Sequence, residues 1–161
     1  MAAPEVKPWA LNAMQQPQEI ALQPSGYRDG FARAHLPPIQ QWPDLVMDAS
    51  MAAYPARFNA AAQLLDRAVA QGGGPQPALI GQHVRWTYQD VLARANQLAR
   101  VIRDDWQLPT GSRILLRGEN HPELALAWLA VLKAGCIAVT TMPLLREREL
   151  SVIVRKAKVS A

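Results

Sequence analysis

The stretch from Arg113 to Thr141 reads RILLRGENHPELALAWLAVLKAGCIAVTT. It begins and ends with short, mostly apolar runs, which are typical of buried strands. Leu124 to Leu132 is apolar nearly all round, as expected of a largely buried helix, and Gly135 suits a left-handed helix end. A strand, a helix and a strand within 29 residues predict a βαβ unit with a right-handed crossover and parallel strands.

This unit predicts an α/β fold with a mostly parallel sheet that is flanked by helices. A further helix is predicted from Arg146 to Lys156, and a parallel sheet needs another strand after a crossover helix. The sequence stops at Ala161, where that strand would begin. An unpaired edge would expose backbone donors and acceptors there. We therefore expect an incomplete N-terminal part of a larger sheet.

Upstream, a helix, a hairpin and a second helix are predicted. Asn59 suits the N-cap of the first helix, which the glycines at Gly72–Gly74 end. Gly81-Gln82 lies between two β-prone runs and predicts a hairpin with a type II′ turn. Thr87 and Asp90 have nearly the spacing of a capping box at the start of the second helix. Its apolar residues form one stripe, interpreted as core: Val91, Ala95, Leu98 and Ile102.

Prolines divide the chain into two parts. They recur at positions 4, 8, 17, 24, 37, 38, 43 and 55, and proline removes a backbone donor. Residues 1–56 are therefore interpreted as an irregular proline-rich leader, and residues 57–161 as a truncated α/β subdomain. Apolar side chains that could anchor the leader are Trp42, Leu45 to Met47, Tyr54 and Phe58.

Composition excludes several classes of protein. Half of the residues are hydrophobic and 19% are charged, which fits a globular chain. The net charge is +4, but the basic residues are scattered, so binding to nucleic acid is not expected. The longest apolar run, Leu124 to Leu132, is nine residues, too short for a membrane span of about 20. Without a secretory signal pattern, a cytoplasmic location is expected.

Several residues are candidates for chemistry, and each also has a simpler structural interpretation. The glycines at Gly72–Gly74 follow a helix and precede Pro75, which favours a connector over a phosphate cradle. Lys133 lies in the last turn of a predicted helix, where its charge complements the helix dipole. Cys136, the only cysteine, is interpreted as a small buried residue rather than a nucleophile.

The histidines carry little signal. Asn120 is predicted to cap the helix that follows, and His121 to lie in its first turn without a chemical role beside Glu123. His35 and His83 are isolated. No catalytic, cofactor-binding or metal-binding residue is therefore assigned.

Several motifs, in order, resemble those of AMP-forming acyl-CoA synthetases. Gly111-Ser112-Arg113-Ile114 resembles the family's GDRV strand, and Asn120 to Glu123 resembles its NSPE helix start. Leu129 to Gly135 is close to its AVLKAG. The resemblance covers about residues 55–161, with Ser112 and His121 standing where Asp and Ser are common. The segments from Leu36 to Pro43 and from Tyr54 to Asn59 look like the leader of benzoate- and 2-aminobenzoate-CoA ligases.

The resemblance implies a two-step ligase reaction. A carboxylate attacks ATP to give an acyl-adenylate and pyrophosphate, and the thiol of CoA then displaces AMP. ATP, Mg and CoA are thus implied for a full-length enzyme, with a small aromatic carboxylate as substrate. The family's Ser/Thr/Gly-rich loop ending in Lys-Gly does not occur in this sequence, so the chain alone is expected to bind none of them and to be inactive.

Three interpretations remain open. The chain is either a part of an aryl-CoA ligase or a non-catalytic subunit of a split ligase that a second polypeptide completes. The third interpretation is a small interaction module without ligase function. The expected partner is therefore the remainder of the ligase chain or a complementing subunit.

Overall fold

The computed structural model describes residues 24–43, 54–55 and 57–161. Two short helical turns, α1 and a 3-10 turn, lie in the leader, and an α/β unit follows. In chain order the elements are α1 Phe31–Ala34, the 3-10 turn Ile39–Gln41, π-helical Ala62–Asp66 and Val69–Gly73, β1 Pro77–Ile80, β2 Arg85–Thr87, α2 Tyr88–Arg100 with the π-helical turn Val101–Asp105, β3 Arg113–Arg117, α3 Pro122–Lys133, β4 Ile137–Thr141 and α4 Glu147–Ala157.

The predicted βαβ unit is confirmed. β3 and β4 pair in parallel, with a register that runs from Arg113 opposite Ile137 to Arg117 opposite Thr141. α3 connects them and buries Leu126, Ala130 and Val131. The helix was predicted to be largely buried, and one position departs from this, because Trp128 is 38% exposed.

The second edge of β3 is also paired. The N–H of Ser160 donates to the carbonyl of Arg113 at 2.7 Å, and the N–H of Leu115 donates to that of Ala161 at 2.8 Å. Residues 160–161 thus run alongside β3 in the same direction, on the side away from β4. β3 therefore lies between two parallel neighbours, as expected for part of a helix-flanked parallel sheet.

The hairpin is confirmed but its turn is not. β1 and β2 are antiparallel with Ile80 opposite Arg85, so residues 81–84 form the connection, and the N–H of Gly81 donates to the carbonyl of Val84 at 2.7 Å. Gly81 has no positive φ, which a type II′ turn would require. Glycine is needed here for space instead, because a Cβ would lie 2.8 Å from Cγ of Pro122 in α3.

The first helix starts as predicted but winds differently. Oδ1 of Asn59 accepts from the N–H of Ala62 at 3.2 Å, which confirms the cap. Most of the following segment is π-helical, so the apolar spacing of an α-helix does not place every residue inward. Leu65 is 2% exposed, whereas its neighbour Leu64 is 53% exposed.

α2 has the predicted capping box. Oγ1 of Thr87 accepts from the N–H of Asp90 at 3.2 Å, and Oδ2 of Asp90 accepts from the N–H of Thr87 at 2.9 Å. Of the predicted stripe, Leu98 does not belong to the core, since it is 39% exposed. The other three residues are buried: Val91, Ala95 and Ile102.

The cap of α3 was predicted one residue too early. His121, not Asn120, is the N-cap, and its Nδ1 accepts from the N–H of Glu123 at 3.3 Å. Pro122 explains the shift. A proline suits the first helical position, and it holds the residue before it in an extended conformation.

Two apolar clusters form the core. The first joins the hairpin, the first helix, α2 and α3, and its buried residues are Leu65, Val91, Ala95, Leu126 and Ala130. The second lies around the amino ends of β3 and β4, and its buried residues are Ile102, Ile114, Val131 and Cys136. Both lie beneath α3, which thus ties the hairpin to the parallel strands.

The described part of the leader makes local contacts as well as a contact with β3. Nε1 of Trp42 donates to the carbonyl of Pro37 at 2.9 Å. Tyr54 and Phe58 stack with ring centroids 5.3 Å apart, but both are more than half exposed. The anchor predicted at Leu45 to Met47 lies outside the described residues. In the described ranges, no helix is both long and apolar enough to cross a bilayer.

Candidate functional site

The carboxyl ends of β3 and β4 form one candidate binding region. In open α/β sheets, ligands bind outside the carboxyl ends of the strands. Arg117 ends β3 here, and its Nη2 donates to the carbonyls of Pro143 at 2.7 Å and Leu145 at 3.1 Å. Oγ1 of Thr141 donates to the carbonyl of Leu116 at 3.3 Å. These groups therefore hold the loop that leads into α4.

An open cavity of about 550 Å³ lies beside that loop. Apolar side chains of Leu145, Leu150 and Val154 line it, together with Arg117, Arg146, Glu147 and Ser151. Arg117 is already bonded to the loop, and the backbone N–H of Arg146 donates to Oε2 of Glu149 at 3.0 Å. The cavity is thus lined by both apolar and charged side chains.

A second cavity, of about 530 Å³, lies at the opposite end of the sheet. It contains three cationic side chains, those of Arg100, Arg103 and Lys133. Two of them are paired, since Lys133 bonds Asp66 and Nε of Arg103 bonds Asp104 at 2.8 Å. Arg103 and Lys133 lie in the last turns of helices, where cations complement the helix dipole.

Lys133 has the position that the sequence predicted for it, in the last turn of α3. Its side chain is 14% exposed, and its Nζ makes an ion pair with Oδ2 of Asp66 from the first helix. Asn59 closes the same end of α3, because its Nδ2 donates to the carbonyls of Leu132 at 2.8 Å and Lys133 at 3.2 Å. Together these contacts join the first helix to α3.

The remaining singled-out residues lie apart from one another. Gly72 and Gly73 end the π-helical segment Val69–Gly73, Gly74 follows it, and Gly72 has a φ of +87°. His83 is exposed in the hairpin connection. Nδ1 of His35 is bonded to the carbonyl of Phe31 at 2.8 Å. Cys136 is 2% exposed, and burial raises the pKa of its thiol, which disfavours the reactive thiolate.

Sequence reasoning missed Arg113. Its side chain is 7% exposed, and it makes an ion pair at 2.6 Å with Asp29 of the leader. It also donates to the carbonyls of Ala157 at 3.0 Å and Lys158 at 2.8 Å, at the end of α4. The available signal was a cation at the first position of a buried strand, since a buried charge requires partners.

Nothing in the described residues identifies a site for the ATP or Mg that the resemblance implies. Across residues 24–43, 54–55 and 57–161, no three His, Cys, Asp or Glu side chains come together as a metal site would require. Gly72–Gly74 lie at the carboxyl end of a helical segment, where the dipole repels phosphate.

The architecture is that of an α/β unit from an adenylate-forming ligase. An anthranilate-CoA ligase, AuaEII, solved with anthranoyl-AMP, shares the fold with a TM-score of 0.61 and 25% identity, over 70% of this chain and 21% of that one. Residues 65–161 match the AMP-binding enzyme family. The chain belongs to that family and corresponds to an N-terminal part of an AMP-forming ligase.

Two curated relatives are CoA ligases. The 3-hydroxybenzoate/4-hydroxybenzoate-CoA ligase of Thauera aromatica is 30% identical over 98 residues, which is 61% of this chain. The long-chain-fatty-acid-CoA ligase of Haemophilus influenzae is 27% identical over 95 residues, 59% of this chain. The chain spans 18% of the first relative's length and 17% of the second's.

The Asp29–Arg113 pair predicts a loss of stability in acid. Hydrogen bonds from Arg113 and from the N–H of Phe31 hold the pKa of Asp29 below its ordinary value. The pair therefore stabilises the fold fully when the pH is above the pKa of Asp29 in the unfolded chain, about 4. That stabilisation is lost as the pH falls through the lower pKa that Asp29 has in the folded chain. Urea unfolding midpoints of the chain and of Asp29→Asn should differ at pH 6 and converge toward pH 2. A difference that stays constant across this range would contradict the prediction.

Proposed function

We propose that the chain is the N-terminal segment of an ATP-dependent acid-CoA ligase that acts on aromatic acids such as benzoate or 2-aminobenzoate. In the whole enzyme the carboxylate would react with ATP to give an acyl-adenylate and pyrophosphate, and CoA would then displace AMP to give the thioester. The match of residues 65–161 to the AMP-binding enzyme family is the observation that carries the proposal.

The aromatic part of the proposal rests on relatives and on the leader. A hydroxybenzoate-CoA ligase and an anthranilate-CoA ligase are among the similar proteins. Leu36-Pro37-Pro38 and Trp42 add the leader resemblance described above. Fatty acids are the competing substrate class, because a long-chain-fatty-acid-CoA ligase is also similar, at 27% identity.

We propose that residues 57–161 supply scaffold and no catalytic side chain, with residues 1–56 as a leader. The ionic groups at both ends of the sheet support this, because Arg113, Arg117 and Lys133 are bonded to the protein itself. Alone, the chain should neither bind ATP, Mg or CoA nor turn over. A cytoplasmic location is proposed with it.

The proposed partner is the remainder of the ligase chain or a complementing subunit. Apolar side chains on and before α4 support this, since Leu144 is 77% exposed, Met142 63% and Val154 39%. α4 buries none of its residues, although its apolar side chains lie on one face. Covering such a face with another part of a protein removes apolar surface from water, which lowers the free energy.

The activity prediction has two arms. The purified chain, mixed with ATP, Mg, CoA and benzoate or 2-aminobenzoate, should form no thioester. The Thauera hydroxybenzoate ligase, with its matched segment replaced by residues 65–161 of this chain, should still form the thioester. The matched control is the same exchange in the Haemophilus fatty-acid ligase. The fraction of parental activity that this chimera retains should be about tenfold smaller than the fraction that the hydroxybenzoate chimera retains, a difference of about 1.4 kcal/mol.

Either arm can overturn the proposal. Thioester formation by the chain alone would show that it contains catalytic groups. A folded but inactive hydroxybenzoate chimera would remove the scaffold role. Equal retention of activity in both chimeras would show that residues 65–161 do not distinguish the two substrate classes, and the general ligase assignment would stand.

A further inference from the structure

Three segments that are distant in sequence meet at the guanidinium of Arg113. Nη1 contacts Oδ2 of Asp29 at 2.6 Å and donates to the carbonyl of Gly111 at 3.0 Å. Nε donates to the carbonyl of Ala157 at 3.0 Å, and Nη2 to that of Lys158 at 2.8 Å. All three nitrogens of this nearly buried group are therefore engaged.

The leader covers this group through its backbone and through an aromatic ring. The N–H groups of Arg28 and Asp29 both donate to the carbonyl of Thr110, at 3.0 and 2.9 Å. The ring of Phe31 lies 4.7 Å from the guanidinium carbon of Arg113, a distance at which a cation is attracted to an aromatic face. Residues 27–31 thus close one side of the Arg113 site and shield it from water.

The other side of the site is the point where α4 ends. Lys158 has a φ of +45°, so the chain leaves the helix through a left-handed residue. Ser160 and Ala161 then pair with the edge of β3 that β4 leaves free. The last carbonyls of a helix need donors, and Arg113 supplies two of the bonds that fix this turn.

We propose that residues 27–31 form a clip that acts through Arg113. The clip positions the residues after α4 along the edge of β3 that faces away from β4. Asp29 holds the fork-shaped guanidinium in place by charge, and Phe31 holds it by stacking. Arg113 is thus a positioning residue. The clip lies outside residues 65–161, the part that matches the family, so this role is additional to the proposed ligase function.

Hydrogen exchange in the 161-residue chain tests the clip. The variants are Asp29→Asn, which keeps the shape of the side chain, and Phe31→Ala. The N–H groups of Leu115 and Ser160 report the pairing of residues 160–161 with the edge of β3 that faces away from β4. That of Ile137, which donates to Ser112 at 2.8 Å, reports the β4 edge, and that of Gly81 reports the hairpin.

Both variants should speed exchange at Leu115 and Ser160 by about tenfold and leave Ile137 and Gly81 within about twofold of the unaltered chain. Asp104→Asn is the matched control, because it removes an exposed ion pair with Arg103 that does not contact the clip. Unchanged exchange at Leu115 and Ser160 would overturn the proposal. So would an equal rise at all four amides, since that would show general destabilisation without positioning.

Discussion

Replacing Gly111 with alanine is expected to lower the free energy of unfolding by about 3 kcal/mol. Replacing Gly72 with alanine is expected to lower it by about 1–2 kcal/mol. The two glycines have nearly the same backbone, with φ of +89° and +87°. A side chain in this left-handed region costs about 1–2 kcal/mol at either position. Only their surroundings differ, so the pair separates backbone strain from steric contact.

The additional cost at Gly111 comes from the leader. A Cβ there would lie 2.5 Å from the carbonyl oxygen of Asp29 and 2.7 Å from Cβ of Tyr27. At Gly72 a Cβ would meet nothing within 4 Å. The leader must therefore shift or detach in Gly111→Ala, whereas Gly72→Ala leaves the packing unchanged.

Urea unfolding of both variants, followed by tryptophan fluorescence, measures the difference. If the two losses are equal, residues 27–29 do not lie against Gly111. A larger loss at Gly111 that disappears when Asp29 is also replaced would show that the additional cost is loss of leader docking. Gly72→Ala controls for backbone strain in both comparisons.

The βαβ unit was predictable because its signals are local. Apolar runs mark β3 and β4, and the helix start and Gly135 lie between them within one short stretch. The start of α3 was predicted one residue too early, because a single neighbour, Pro122, makes His121 the N-cap. The turn at Gly81 was misjudged since the requirement for glycine comes from α3, which is remote in sequence.

The candidate sites were less predictable, because their partners are far apart along the chain. The position of Lys133 in the last turn of a helix followed from the sequence, but its pairing with Asp66 did not. Arg113 bonds the carbonyl of Ala157, 44 positions away, and Asp29 of the leader. Spacing within a motif contains no information on such pairs. A charged residue at the start of an apolar strand indicates only that partners must exist.

Leu65→Ala is expected to lower the free energy of unfolding by about 3 kcal/mol, and Leu64→Ala by less than about 0.5 kcal/mol. The two leucines are adjacent in one π-helical segment. Leu65 is 2% exposed and packs in the cluster that contains Val91 and Leu126, whereas Leu64 is 53% exposed. The same substitution in the same segment changes helix propensity equally, so the difference between the two variants measures packing alone.

Thermal and urea unfolding of the two variants test the π-helical winding directly. An α-helical winding would bring both leucines onto one apolar stripe. Comparable losses at both positions would therefore favour that winding and contradict the structure. A large loss confined to Leu65 would show that the first helix meets α2 and α3 through this leucine, and that the wider turn directs Leu64 away from the core.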